Sequence, residues 1–65
     1  MKLNGPQTRL YWALLDSIWM RSPDYAPYMT RLLVIRACCM LDPDASIYDV
    51  LVVADCIYQR GMCKE

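Results

Sequence analysis

The chain has 65 residues, 57% of them apolar, with seven basic and seven acidic side chains and no histidine. That length allows a single domain, residues 1–65, whose core buries only about 60% of the unfolded surface, so regular packing or association has to supplement it. The balanced charge, with Arg9, Arg21, Arg31 and Arg36 spread along the chain, argues against nucleic acid as a primary partner, and no apolar run reaches the ~20 residues of a membrane span.

The first residues, Met1 to Pro6, carry one basic side chain and then turn formers where a signal peptide needs an unbroken apolar stretch, which predicts a cytoplasmic protein. Asn4-Gly5-Pro6 opens a first helix, expected over about 6–21, and Ser22-Pro23 stops it. Its apolar arc is wide: Leu10, Leu14 and Ile18 form one edge, Tyr11 and Leu15 the middle, and Trp12 and Trp19 the other edge, with Asp16 beside them. An arc of that width faces two partners, the core and another molecule. Trp12, Asp16 and Trp19, joined by Tyr25 and Tyr28 of the following connector, are therefore the candidate binding residues, because Trp, Tyr and Arg dominate interface hot spots.

A second helix is expected over about 27–41, from Pro27 to the Asp42-Pro43 stop. Leu32 to Ile35 and Cys39 to Leu41 make it apolar nearly all round, which predicts that it is covered on most sides, with Arg36 inside apolar territory. The third helix, about 47–60, has Ser46 and Asp49 as an approximate capping box and Gly61 as its left-handed stop. At 100° per residue, Ile47, Val50, Leu51, Ala54, Ile57 and Tyr58 share one face, the expected core stripe. Val52 and Cys56 then fall on the far side with Tyr48 on the shoulder, a candidate oligomer interface.

The expected fold is thus an all-α three-helix domain with surplus apolar surface, which favours a homodimer or another homo-oligomer. The cysteines, Cys38, Cys39, Cys56 and Cys63, are expected to be reduced and to act as small hydrophobes, since adjacent helical cysteines point about 100° apart and do not bridge. No zinc site is expected without histidine or a C-x-x-C pair, and no other cofactor is implied.

No catalytic grouping emerges either, because a Gly-rich phosphate loop and a G-x-S-x-G element are missing and the sole glutamate is Glu65. Asp42-Pro43-Asp44-Ala45-Ser46 begins like a calcium loop but has Ile47 and Val53 where glycine and a bidentate glutamate belong. The same string is similar to the nucleophile motif of haloacid dehalogenase-type phosphatases, whose α/β domain this chain cannot build. An interhelical turn ending in a helix cap explains it. A helix-turn-helix regulator is a further alternative, disfavoured by Asp49 and Asp55 on the third helix.

The run Asp49-Val50 through Ala54-Asp55 to Ile57-Tyr58 resembles the last helix of many very small proteins encoded by bacteriophages and prophages. That resemblance implies a protein that binds and redirects host machinery, among which are anti-CRISPR proteins and inhibitors of other bacterial regulators. The reading is a non-enzymatic inhibitor that occludes a host protein such as a defence-system component, with a homo-oligomeric structural or assembly protein as the alternative.

Overall fold

The computed structural model describes residues 2–17, 21 and 29–63. Three helices, α1 (Gly5–Leu15), α2 (Arg31–Leu41) and α3 (Ile47–Gln59), pack against one another pairwise. Among the described residues the chain forms the all-α three-helix arrangement read from the sequence.

Each helix is started by a side chain that occupies an amide the helix itself leaves unbonded. Asn4 caps α1 in a complete capping box: its Oδ1 accepts from the Gln7 amide at 2.9 Å, and Gln7 Oε1 accepts from the Asn4 amide at 3.2 Å. Thr30 caps α2 by accepting from the Leu33 amide at 3.2 Å. Met29 before that cap and Val34 four residues after it are both buried, the pairing of a hydrophobic staple that fixes how the chain enters the helix. Ser46 caps α3, accepting from the Asp49 amide at 3.1 Å.

The end of α3 is equally defined. Gly61 takes φ +78, its amide donates to the Tyr58 carbonyl at 3.0 Å, and the Met62 amide donates to Ile57 at 3.4 Å. That pair of bonds is a Schellman motif, whose left-handed residue has to be glycine or incur the clash of a Cβ with its own backbone.

Two boundaries differ from the sequence reading. The first helix ends at Leu15 with Asp16 as its C-cap, while Arg21, whose amide donates to the Ser17 carbonyl at 3.1 Å, is helical but not part of α1. The last turn of α1 carries no basic residue, and Asp16 and Ser17 are poor helix formers at a terminus that favours cations. The second helix starts at Arg31, four residues beyond Pro27, because the Thr30 cap and the Met29 staple define the start. Pro27 itself lies outside the described residues.

The core consists of Leu10 and Leu14 from α1, Met29, Val34, Ala37 and Cys38 from α2 and its entrance, Val50, Val53, Ala54 and Ile57 from α3, and Cys63. Here α3 departs from its predicted stripe. Val53 is fully buried, while Ile47, Leu51 and Tyr58, expected inside, are exposed. The helix is turned by about 50° relative to the stripe, as 100° per residue gives for this change of buried set.

Polar contacts flank the buried face on both sides. On one side Asp49 Oδ1 accepts from Gln7 Nε2 at 2.8 Å, and the Arg60 guanidinium donates to the Tyr11 hydroxyl, tying α3 to α1. On the other side Arg31 and Asp55 form an ion pair at 3.2 Å, tying α3 to α2. By the same projection the buried face lies between these two seams, closer to the α1 side, about 80° from Asp49 and Arg60 and about 150° from Asp55. Gln7, only 5% exposed, is the one buried polar residue among those described, and its amide is bonded at both ends. Asp49 consequently serves the α1 seam and does not complete the capping box expected of it with Ser46.

Candidate functional site

α1 separates its two edges as expected. Leu10 and Leu14 are buried, Tyr11 and Leu15 are half-buried, and Trp12, which projects about 200° from Leu10, is 56% exposed. The Trp12 ring meets the edge of Tyr11, with centroids 5.6 Å apart and planes at 82°. Tyr11 is in turn fixed by Arg60, whose guanidinium carbon lies 5.8 Å from the ring centroid. Trp12 is thereby backed by a chain of contacts: ring on ring, ring on guanidinium, guanidinium from the end of α3. Asp16, at the C-cap of the same helix, is exposed. The other three predicted binding residues, Trp19, Tyr25 and Tyr28, lie outside the described residues.

The predicted oligomer interface on α3 divides. Tyr48 is exposed at 69%, but Val52 and Cys56 are half-buried. Cys56 shares an open depression of about 360 Å³ with Leu3, Tyr11, Gln59 and Arg60. Leu3 is itself half-buried and is held to α1 by its carbonyl, which accepts from the Thr8 hydroxyl at 3.5 Å. The residues leading into α1 thus come over the side of α3 that helical projection leaves bare.

What projection buries, the structure exposes. Ile47 and Leu51 on α3, and Leu32, Leu33, Met40 and Leu41 on α2, all lie open to solvent. The second helix, read as covered on most sides, is covered on one side only, with Val34, Ala37 and Cys38 inward. Arg36, placed by projection inside apolar territory, is exposed. This uncovered surface along α2 and α3 is the feature that sequence reasoning missed. The surplus of apolar residues announced it without locating it.

A second depression, about 460 Å³, is bordered by Pro6, Arg9, Asp42, Asp44, Ala45, Ser46 and Asp49. Two of its three carboxylates are engaged in local structure: Asp42 Oδ1 accepts from the Asp44 amide at 3.3 Å, and Asp49 Oδ1 accepts from Gln7. The Asp42 to Ser46 string is the turn and cap it was read to be. Among the described residues, no group of three or more His, Cys, Asp or Glu side chains converges as a metal site, and no helix is long and apolar enough to cross a membrane.

Cys38 is buried and Cys39 beside it is exposed. Burial pushes the Cys38 thiol from 9.0 up to about 11, and the charge of a neighbouring Cys39 thiolate adds to the rise. A nucleophilic or metal-binding cysteine needs the opposite shift, so Cys38 is inert at neutral pH.

What remains is the exposed Trp12 on α1, backed by Tyr11 and Arg60, and an apolar surface along α2 and α3. In comparisons with known proteins, no family model, curated protein or solved structure matches the chain.

Proposed function

We propose that the chain is a non-enzymatic protein-protein interaction module that acts by covering a partner's surface. The phage-like pattern of α3 supports a specific version of that reading. The chain is an inhibitor encoded by a phage or mobile element, working in the host cytoplasm on a bacterial protein such as a defence-system component.

The observation that carries the proposal is the presentation of Trp12. A large aromatic side chain stands out from the helix edge opposite Leu10 and Leu14, backed by Tyr11 and Arg60. A side chain already held in place loses little rotamer freedom on docking, which is why such residues become hot spots. Asp16, exposed one turn further along, adds a charged group beside it.

Trp12→Ala tests the reading. With partner captured from bacterial lysate by the wild-type chain and then purified, the variant should bind about thirtyfold more weakly, the equivalent of ~2 kcal/mol. Its circular dichroism and thermal midpoint should match the wild type. Unchanged affinity would remove α1 from the site, and loss of helicity would return Trp12 to a structural role.

A further inference from the structure

We infer that the exposed seam between α2 and α3 is the contact surface of a two-fold homodimer, occupied by the same seam of a second copy. This inference does not involve the Trp12 edge and stands or falls separately from the proposed function.

The geometry starts from the hairpin. The short turn from Asp42 to Ser46 reverses the chain, and the Arg31–Asp55 ion pair fixes the register of the antiparallel helices. Counting four residues along each helix from that pair places Ile35 level with Leu51, and Cys39 level with Ile47. By the same projection, Leu32 and Cys39 of α2 border the seam from one side, and Ile47, Tyr48, Leu51 and Tyr58 of α3 border it from the other. Leu32 is 73% exposed, Ile47 63% and Leu51 42%.

Area decides whether such a seam suffices. With roughly 200 Å² for each fully exposed large residue, these fractions together with Tyr48 at 69% and Tyr58 at 36% leave on the order of 570 Å² of surface on each copy. A stable dimer buries at least ~600 Å² per partner, with ~800 Å² standard. The seam therefore lies at the lower edge of the range, the size of a transient contact and not of an obligate one.

Charge selects the occupant. Inside the seam Arg31 and Asp55 neutralise each other within one copy, and the exposed Arg36, one helical turn from Leu32, borders it at the rim, where a charge stays in water. A two-fold axis brings a surface against itself, so a patch of one sign would repel its mate, whereas an internally neutral apolar patch does not. Two antiparallel hairpins meeting on such faces form a four-helix arrangement, in which neighbouring helices cross at ~20°.

Sedimentation equilibrium of the intact chain provides the test, alongside Leu32→Glu, Ile47→Glu and Trp12→Ala. The wild type should approach twice the 7.6 kDa chain mass at high micromolar concentration. Each glutamate variant should raise the dissociation constant at least about tenfold while keeping wild-type circular dichroism, since both positions are already solvent-exposed. Trp12→Ala should dimerise normally. Alkylation of Cys39 should be slower in the wild-type dimer than in Leu32→Glu. A monomer at every concentration overturns the inference. So does a dimer indifferent to both glutamates, or a species sensitive only to Trp12→Ala, because each places the contact elsewhere. Should either glutamate variant lose helicity, the wild-type mass and the concentration dependence of Cys39 alkylation remain decisive.

Discussion

Cys38 and Cys39 are chemically identical neighbours that the fold makes different. Cys38 points into the core beside Val34 and Ala37, and its ionised form has to leave water, so its proton is held to about 11. In the unfolded chain the same thiol ionises near 9.0. Below that value both states carry the proton, and the full stabilising contribution is present. As pH rises from about 9 to about 11 the unfolded chain releases its proton while the folded chain keeps it, so stability falls across that window. Urea midpoints measured across the window should decline more steeply for the wild type than for Cys38→Ala. Tyrosine ionisation is common to both proteins and cancels in the comparison. At neutral pH, a maleimide should label Cys39 well before Cys38. Parallel declines in the two proteins would remove Cys38 as the cause.

Among the helices, α3 separates what pattern specifies from what only contacts decide. Its start at Ser46 and its stop at Gly61 follow from local chemistry, an oxygen that reaches an amide and a residue that tolerates positive φ, and both were legible in the sequence. The centre of its buried face was not. Nearly every position from Ile47 to Ile57 other than Asp49 and Asp55 is apolar. So wide an arc gives no unique direction, and the contacts that flank the face actually buried, Gln7–Asp49 and Arg31–Asp55, join α3 to positions 42 and 24 residues away in sequence. The same gap in local information misplaced the α2 start, where proline suggested a helix entrance and Thr30 provides it. The inward edge of α1 was legible because Leu10 and Leu14 have no apolar competitor on their own line. The rotation of α3 has a direct thermodynamic signature. Val53→Ala removes two buried methyl groups and should cost about 1–3 kcal/mol, whereas Leu51→Ala, at an exposed position, should cost well under ~1 kcal/mol in the monomer. Chemical denaturation of both variants at low micromolar concentration checks the order, and the sequence-predicted stripe requires the reverse.

For the molecule as a whole, the question is what a core with eleven buried apolar residues among those described can sustain. A 65-residue domain has an unfolding enthalpy of only ~45 kcal/mol at ~0.7 kcal/mol per residue, so its midpoint responds strongly to any small free-energy term, by about 4–8 °C per kcal/mol. A dimer that dissociates in the micromolar range adds such a term by mass action. When the free chain rises from well below its dissociation constant to about ten times above it, each protomer gains roughly 1.4 kcal/mol. The thermal midpoint should accordingly climb by roughly 5–10 °C across that concentration range, as a two-state domain of this size converts free energy into temperature. Differential scanning calorimetry of the wild type and Leu32→Glu provides the comparison. In the variant, the seam between α2 and α3 carries a charge opposite its own image, and the midpoint should be independent of concentration and equal to that of the dilute wild type. A wild-type midpoint that is flat from low to high concentration would mean that the three helices hold together without a second copy. The exposed leucines, Ile47 and Tyr48 would then belong to a surface that associates with nothing of its own kind.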